Sequence, residues 1–454
     1  MKKQLLIIGL IVLSIFTFAI PDVEISENST SINLQTRIFD LTMDKEGHLL
    51  EYSIVEFRTK EYKLIYSYAK DSFDLINPET EEEIVPVDYE ISVPENQEYV
   101  DIFYFFEGNG FKKYRFFNDA NFHFEVEFTN IEGLVTLPTI SYRPGIRQMQ
   151  STMVSFIEEI PNTGENLDAL VAVEAASQID NQLRYETQGR TVSKVYMGPL
   201  KRTFMSEVFS EEVYERISAL LDELGAFGFI SGIFYWFVNF LWWLNNITGN
   251  FGWAIIIFTV IIRLALYPLY HKQQKSMIKM REIQPEVEKL KKKYKNAQKL
   301  QEETMKMYKE KNVNPMGGCL PTLIQLPVFI VLWQTIQYFG EAFAYNPRFL
   351  LWTDLSEGGF GTNFIFILIS LGAYLAIALL SAQNSKMAWQ QIAMSTIFPL
   401  LLSGLPAGVF LYYTSNALIQ LIITFYNNKR NGVKGIGFRE LFGLGPKPVR
   451  RWHD

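Results

Sequence analysis

The sequence contains few residues of the kinds that build catalytic or metal centres. Its 454 residues include one cysteine and four histidines. A lone cysteine excludes an intramolecular disulfide. Cys319 has no histidine near it in sequence, so we interpret it as a small interfacial residue rather than a reactive thiol. The histidines (His48, His123, His271 and His453) fall in no metal-binding spacing, and we predict no metal and no cofactor.

Motifs of several functional classes are missing too. No GxxxxGK[ST] phosphate loop occurs, which excludes nucleotide binding of that kind. There is no arginine ladder of a voltage sensor and no selectivity-filter run. The apolar segments carry no Ser/His, paired-aspartate or zinc constellation, which argues against an intramembrane hydrolase. We therefore predict that the chain is not an enzyme.

What the sequence does have is long apolar blocks in its second half. Residues 22–225 are mixed and acid-rich, whereas residues 226–430 are apolar with one basic insert, so the formal charge of −7 is an average over unlike halves. About twenty apolar residues suffice to cross the hydrocarbon core of a bilayer. Spans are predicted at about 250–270, 317–339, 362–383, 389–404 and 407–427, of which the fourth is short.

The N-terminus predicts one further span. Lys2 and Lys3 precede an apolar stretch that ends at Ile20, a pattern shared by signal peptides and membrane anchors. The residues before Pro21 form a poor cleavage site, so we favour an uncleaved anchor, residues 1–21, over a cleaved signal peptide. This gives six spans.

Basic residues predict the orientation of these spans. Lysines and arginines crowd residues 271–311 and recur at Lys386 and in the tail that begins at Lys429, whereas the opposite loop, 340–361, has only Arg348. Both termini are therefore expected in the cytoplasm, with the large domain on the other side.

Residues 22–205 predict a β-sandwich. Alternation is clearest where Phe122, Phe124, Val126 and Phe128 are separated by His123, Glu125 and Glu127, as in a half-buried strand. Residues 101–106 and 111–117 form a predicted hairpin whose turn, 107–110, suits positive φ. Further strands are expected at 49–57, 63–68 and 87–93. The many aromatic residues are interpreted as core.

Residues 206–249 predict helices at the membrane surface. Ser206 or Ser210 can cap a helix that begins with Glu211 and Glu212. The tryptophan-rich block 227–244 fits a helix lying in the interface better than a full span. Asn245, Asn246 and Gly249 are expected to end it.

Arg263 is the unusual residue of the apolar half. Counting 1.5 Å per residue from Asn250 places it about 20 Å into the membrane, roughly 10 Å from the inner surface, near the limit of a snorkelling side chain. No Asp or Glu lies within any predicted span, so the arrangement we expect is a water-filled groove open to the inner face. Polar residues that could line it, or form interhelical hydrogen bonds instead, are Thr259, Gln325, Ser403, Thr414, Ser415, Asn416 and Gln420.

The basic insert 271–312 predicts an antiparallel helical hairpin. Pro285 is acceptable in a first helical turn, and Val287, Leu290 and Met307 contribute to a thin apolar seam. Its tip is coated by Lys289, Lys291, Lys292, Lys293, Lys295 and Lys299. These lysines fit attraction to anionic lipid, and equally docking of an acidic partner such as ribosomal RNA or a targeting receptor.

Several runs between about 227 and 430 resemble the YidC-type membrane protein insertases of the YidC/Oxa/Alb family. They are Ile261–Leu269, Met277–Met280, Ile283–Pro285, Met307–Lys309, Val313–Pro321, Leu323–Phe329, Pro406–Val409, Leu411–Tyr413 and Ser415–Asn416. The N-terminal β-domain matches only in size and position, as in members from double-membrane bacteria.

This resemblance implies a five-helix core around a hydrophilic groove that is closed outside and open to lipid and cytoplasm. Arg263 occupies the position of the family's groove arginine. Thr259, Leu326, Phe329, Tyr412 and Tyr413 occupy positions that border or line the slide for substrate helices, with leucine at 326 where some members have methionine. The resemblance also implies a β-supersandwich fold for the N-terminal β-domain. It further implies nascent membrane proteins as substrates and partnership with the ribosome, signal-recognition components and the Sec translocon.

The predicted fold class is an α-helical polytopic membrane protein with a large extracytoplasmic all-β domain. The expected parts are an anchor (1–21), a periplasmic β-domain (22–205), interfacial helices (206–249), a five-helix core (250–430) and a basic cytoplasmic tail (431–454). The predicted function is an inner-membrane insertase and chaperone acting as a monomer. Alternatives are a small-solute or ion transporter that uses the same cavity, or a structural scaffold, which would leave Arg263 without a role.

Overall fold

The computed structural model describes most of the chain in two compact units. It describes residues 23–56, 61–67, 72–138, 147–148, 153–160, 167–175, 177–180, 182–199, 201–223, 231–269, 283–311, 320–346, 348–382, 385–430, 435–442 and 444. One unit is Met1–Ile233 with Tyr338–Pro347, and the other is Phe234–Gln337 with Arg348–Asp454. The predicted anchor, Cys319 and most of the predicted tail lie outside the described residues.

The first unit contains antiparallel sheets. The first sheet has five strands in chain order: β1 (Glu24–Glu27), β2 (Ser31–Gln35), β3 (Phe39–Asp44), β4 (Leu49–Glu56) and β5 (Glu61–Ser67). In β2 and β3 alternate side chains are buried. This is the burial expected where one face of a sheet covers a core and the other meets solvent.

The second sheet has eight strands in the order β12-β13-β14-β16-β10-β9-β8-β7. These are β7 (Asp88–Ser92), β8 (Tyr99–Phe105), β9 (Phe111–Phe117), β10 (His123–Thr129), β12 (Arg147–Gln148), β13 (Met153–Ile160), β14 (Leu167–Glu174) and β16 (Arg190–Pro199). A third sheet pairs β15 (Arg184–Thr187), β11 (Gly133–Thr136) and β6 (Leu75–Ile76). The core lies between the two larger sheets, where the rings of Tyr52 on β4 and Phe124 on β10 are 6.3 Å apart.

The predicted strands are confirmed, with one correction in their burial. The predicted hairpin pairs β8 with β9, and Gly108 and Asn109 in its turn have φ of 88° and 64°. Phe122, Phe124, Val126 and Phe128 are fully buried. Glu127, expected on the solvent side, is buried as well, because its carboxylate pairs with Lys113 at 2.5 Å and with Arg190 at 2.6 Å.

The described residues form the following helices. They are α1 (Arg202–Val208), α2 (Glu211–Glu223), α3 (Ser231–Thr248), α4 (Phe251–Ala265), α5 (Gln284–Lys293), α6 (Ala297–Glu310), α7 (Leu320–Tyr338), α8 (Gly340–Ala344), α9 (Phe360–Ser381), α10 (Ser385–Leu401), α11 (Ala407–Arg430) and α12 (Phe438–Leu441).

Two helices of the described part of the chain, α9 and α11, are long and apolar enough to cross a membrane. Shorter apolar helices are α4 and Leu326–Tyr338 within α7. The predicted span from 250 begins as expected, with Asn250 capping α4 through a 2.8 Å hydrogen bond from the Gly252 N–H. Its first helix ends at Ala265, and one turn residue, Leu266, separates it from a short helical stretch at 267–269. Pro268 in that stretch has no N–H with which to continue the main-chain hydrogen bonds of α4.

Helix α3 runs further than predicted. Asn245 and Asn246 lie inside it, with Asn245 buried, and the helix ends only before Gly249, whose φ is 64°. A buried asparagine that finds hydrogen-bond partners is compatible with a helix interior, whereas the left-handed backbone of Gly249 is not. The rings of Phe240 on α3 and Phe258 on α4 are in contact, tilted by 48° with their centroids 5.8 Å apart.

The basic insert forms the predicted helical hairpin over its described residues. Val287 on α5 and Met307 on α6 are buried. Lys311, just beyond the end of α6, pairs with Glu286 in the first turn of α5 at 3.2 Å, which requires the two helices to be antiparallel.

Candidate functional site

Arg263 lies near the end of α4 and is held by the last long helix, α11. Its side chain is only 7% exposed. The Nε group donates a hydrogen bond to the Asn416 side-chain oxygen, and Nη1 donates to Gln420 Oε1 at 2.9 Å. Nη2 donates to the Asn416 main-chain oxygen at 3.2 Å. Each of these three acceptors is an uncharged amide oxygen, so the hydrogen bonds orient the guanidinium without neutralising it.

A polar stripe on α11 creates this arrangement. Asn416, Gln420 and Thr424 are spaced four residues apart and therefore lie on one face of the helix. Gln420 Nε2 donates to Thr424 Oγ1 at 3.1 Å, which leaves its side-chain oxygen turned toward Arg263. The stripe places a row of amide and hydroxyl groups along the arginine, where an apolar face would leave the guanidinium unsatisfied.

Close packing at the start of α11 brings the stripe to α4. A side chain at Gly408 would place its Cβ 3.2 Å from Ile255 on α4 and 3.1 Å from Ile336 on α7. Small residues permit such close approach between membrane helices. Further along, the Ser370 and Thr414 hydroxyls share a 2.8 Å hydrogen bond between α9 and α11.

The helices around this site carry no acidic residue. The sequences of α3, α4, α7, α9, α10 and α11 contain neither aspartate nor glutamate. A buried guanidinium costs several kcal/mol in a membrane unless groups around it solvate the charge. Here neutral amides do part of that work.

The structure separates the predicted site residues into two groups. Thr259 and Tyr412 are almost fully buried inside the bundle, and the Thr259 hydroxyl donates to the Ile255 main-chain oxygen at 2.6 Å. Asn416 contacts Arg263 directly. Gln325 belongs to α7, but its side chain lies outside the described residues.

The second group forms an apolar surface. Phe329 on α7 and Tyr413 on α11 meet at one small pocket, and Leu326, one turn before Phe329, is 49% exposed. The residues lining the pocket are Phe329, Pro399, Leu402, Val409, Phe410 and Tyr413. The Tyr413 ring also lies 5.4 Å from the Tyr374 ring on α9. Tyr412 does not line this pocket.

Gln420 is a direct partner of Arg263, whereas the sequence places it only among several polar residues of the last span. Its four-residue spacing from Asn416 is the signal that singles it out. The two residues most important for holding the arginine are therefore one turn apart on the same helix face.

The lysines of the hairpin lie on its surface. Lys289, Lys292, Lys293, Lys295 and Lys299 are exposed, and the side chain of Lys291 lies outside the described residues. The ammonium groups of Lys293 and Lys299 lie 5.3 and 5.7 Å from the centre of the Tyr294 ring. The ring and the two lysines thus form a compact cationic patch where α5 meets α6.

Comparisons with known proteins converge on one family. Residues 243–434 match the family model described as 60Kd inner membrane protein. The membrane protein insertase YidC of Thermotoga maritima is 39% identical over 98% of this chain and 99% of that protein. The YidC insertase of Caldanaerobacter subterraneus subsp. tengcongensis is 39% identical over 39% of this chain and 85% of that protein.

Solved structures give the same result. A crystal structure of an active YidC insertase with its first transmembrane domain resolved has a TM-score of 0.72 and 37% identity, covering 94% of this chain and 99% of that one. A crystal structure of YidC from Thermotoga maritima has a TM-score of 0.63 and 29% identity, covering 88% of this chain and 99% of that one.

Proposed function

This chain belongs to the YidC family of membrane protein insertases, and from that premise we propose that Arg263 is the contact through which it receives hydrophilic parts of its substrates. The chain is an inner membrane protein that acts on membrane proteins. The resemblance to the YidC family and the fold class predicted from the sequence are both confirmed. The transporter alternative has no support among these relatives.

The observation that carries the proposal is the set of neutral partners around Arg263. Asn416 and Gln420 fix the guanidinium through uncharged oxygens, and the surrounding helices contain no carboxylate. In a region of low dielectric such a charge attracts an anion more strongly than it would in water. An acidic side chain on a passing polypeptide is the anion that a membrane protein substrate supplies.

The apolar pocket supports a path for the rest of the substrate. Phe329 and Tyr413 lie on neighbouring helices at a surface where Leu326 is half exposed. A substrate's apolar segment that leaves along this surface enters lipid with a gain of about 25 cal/mol per Å² of apolar area removed from water. Recognition of the polar tail and release of the apolar segment thus fall to different residues.

The remaining parts of the proposal concern partners and orientation. The lysine-coated hairpin extends into the cytoplasm and docks an acidic partner, with the ribosome, signal-recognition components and the Sec translocon as candidates. Both termini are cytoplasmic and the β-domain is periplasmic, in keeping with the distribution of basic residues. In this proposal the chain works by binding rather than by catalysis.

The test replaces Arg263 in the full-length protein reconstituted into liposomes. Two substrates are compared that differ only in whether the translocated tail carries acidic residues or their amide counterparts. Arg263→Gln is expected to slow insertion of the acidic substrate by about tenfold, the equivalent of roughly 1.4 kcal/mol, and to leave the neutral substrate nearly unchanged. Arg263→Lys, which keeps the charge, is the matched control and is expected to retain most of the activity.

Equal losses for both substrates would contradict the electrostatic role and indicate that Arg263 only holds α4 against α11. Loss with Arg263→Lys as large as with Arg263→Gln would do the same, because the charge is present in the lysine variant.

A further inference from the structure

A histidine and two carboxylates from separate segments meet in the first unit, which contains the sheets (the β unit). His48 immediately precedes β4, Asp74 immediately precedes β6, and Glu83 follows β6. One ligand atom from each lies within 4.8 Å of the other two. His48 Nε2 is 2.7 Å from Glu83 Oε1 and 3.6 Å from Asp74 Oδ1.

The second nitrogen of the imidazole is already oriented. His48 Nδ1 lies 2.6 Å from Asp44 Oδ2, and a carboxylate can only accept, so Nδ1–H is the donor. Asp44 is fixed in turn, because its Oδ1 accepts from the main-chain N–H groups of Glu46 and His48. A carboxylate behind a histidine is the arrangement that holds metal-ligating imidazoles in place.

Asp74 supplies a second observation, a buried carboxylate oxygen without a hydrogen bond. The residue is 4% exposed, and its Oδ1 has no hydrogen-bond partner among the described residues, although its other oxygen accepts from the Ser72 N–H at 3.3 Å. Leaving a buried carboxylate oxygen unsatisfied is costly. This oxygen lies 3.6 Å from His48 Nε2.

The charges around this point also favour a cation. Asp44, Asp74 and Glu83 contribute three negative charges, and the buried Lys112 ammonium, which donates to the Gly47 main-chain oxygen at 2.9 Å, contributes one positive charge. Both imidazole nitrogens lie within hydrogen-bond distance of carboxylates, so His48 is the second cation of the cluster in this structure. When Nε2 loses its proton, the cluster retains a charge of about −2, which a divalent ion in place of that proton would balance. The side chains of Asp44 and Glu83 are 22% and 34% exposed, so solvent reaches one side of the cluster.

We propose that His48, Asp74 and Glu83 form a divalent transition-metal site in the β unit, with zinc as the best-fitting ion and Asp44 as the residue that positions the imidazole. One imidazole and two carboxylates with an open side match the three-ligand pattern of zinc sites that keep a water ligand. Ligand atoms of a tetrahedral zinc lie roughly 3.4 Å apart. The His48–Asp74 distance of 3.6 Å is close to this, and the His48–Glu83 distance of 2.7 Å must lengthen when an ion replaces the proton between them.

This site was not predicted from the sequence. Metal motifs are recognised by short spacings, whereas here the ligands are separated by 26 and 9 residues and converge only in the folded β unit. A competing arrangement without metal places a second proton on the imidazole, which then pairs with Asp44 and Glu83. The two arrangements differ in zinc uptake.

The test uses the full-length protein in detergent, without a histidine tag, after removal of metal with a chelator. Zinc binding is measured by competition with a chromophoric indicator and by metal analysis after dialysis. We expect one zinc ion per chain in the wild type. Asp44→Asn is expected to weaken zinc binding by about 10- to 100-fold, as for other residues that orient a metal-bound imidazole, and Glu83→Gln, which removes a ligand, by at least as much.

Glu82→Gln, which removes a neighbouring exposed carboxylate, is the matched control and is expected to bind zinc as the wild type does. Because Asp74→Asn can disturb folding through the Ser72 contact, Glu83→Gln carries the conclusion. Zinc should raise the melting temperature of the wild type and of Glu82→Gln but not of Glu83→Gln. Absence of zinc uptake by the wild type, or equal uptake by Glu83→Gln, overturns the proposal in favour of the protonated ion pair.

Discussion

The partners of buried charged groups differ between the β unit and the second unit, which contains α4 and α11 (the helical unit). In the β unit, Glu127 is enclosed by Lys113 and Arg190, and Asp101 forms a two-point contact with Arg115. In the helical unit, Arg263 is held by the amides of Asn416 and Gln420. These two ion-pair clusters of the β unit cancel their charges, whereas the described partners of Arg263 are uncharged.

This difference separates a structural from a functional use of charge. A buried ion pair satisfies both partners, and its field outside the pair is small. An arginine solvated by neutral amides stays oriented while its charge remains available to a third party. The contrast therefore points to Arg263 as the residue that meets a ligand, and to Glu127 as one that does not.

The largest expected effect comes from giving Arg263 the kind of partner that the β unit uses. Asn416→Asp replaces only the side-chain NH2 group by an oxygen and so places a carboxylate beside the arginine. We expect insertion of substrates with acidic tails to fall at least tenfold, because the internal carboxylate satisfies the guanidinium and repels the tail. Insertion into liposomes measures this.

Asn416→Ser, which removes the amide without adding charge, is the control and should lose much less activity. If Asn416→Asp inserts acidic substrates as well as the wild type does, the retained charge of Arg263 has no role in insertion.

A smaller effect is expected at the apolar pocket. Tyr413→Ala removes part of the surface that it forms with Phe329, and we expect insertion of weakly apolar segments to fall several-fold, corresponding to about 1 kcal/mol of lost contact. Strongly apolar segments should be less affected. Ile422→Ala, at a position 67% exposed on the same helix, is the control, and an equal loss there would remove the special role of the pocket.

The hairpin lysines extend the comparison to surface charge. Replacing Lys289, Lys292 and Lys295 with glutamine should slow insertion of ribosome-bound substrates two- to threefold at low salt, and the difference should narrow as salt screens the charges. Lys386→Gln is the control. If the loss appears only in liposomes that contain anionic lipid, attraction to lipid replaces partner docking as the role of these lysines.

The smallest effect is expected from the paired charge of the β unit. Burial raises the pKa of Glu127, but hydrogen bonds from Arg190 and Lys113 outweigh burial and lower the pKa to about 2. The carboxylate therefore stabilises the folded state above its ordinary pKa of 4.5, and this contribution is lost as the pH falls toward 2. Glu127→Gln should lower the melting temperature by a few degrees at pH 7, with a smaller difference at pH 3.

Insertion activity of Glu127→Gln at pH 7 should equal that of the wild type. Melting temperatures are followed by circular dichroism. If the difference between Glu127→Gln and the wild type is the same at pH 7 and pH 3, the ion pairs of Glu127 do not stabilise the folded state.

The sequence predicted the elements of this fold better than its contacts. Alternation at Phe122–Phe128 was sufficient to predict β10, and the Gly108-Asn109 turn to predict its neighbouring hairpin, because both depend on local backbone chemistry. Burial of Glu127 could not be predicted in this way, because Lys113 and Arg190 approach it from two other strands.

In the candidate site, too, the residue could be predicted from the sequence but its contacts could not. Arg263 was evident from the sequence because a charge within an apolar run is unusual. Its partners on α11 are more than 150 residues away in the chain, and that helix approaches α4 through tertiary packing, for example at Gly408. The cluster at His48 was missed for the same reason, since three distant segments supply its groups.

The most direct test of the central claim exchanges the charges of the protein and its substrate. Arg263→Glu is compared with the wild type on two substrates whose translocated tails carry either acidic or basic residues at the same positions. We expect the wild type to prefer the acidic tail and Arg263→Glu to insert the basic tail faster than the acidic one. If Arg263→Glu inserts both tails equally slowly, the guanidinium does not act on substrate through its charge, and its role is confined to joining α4 to α11.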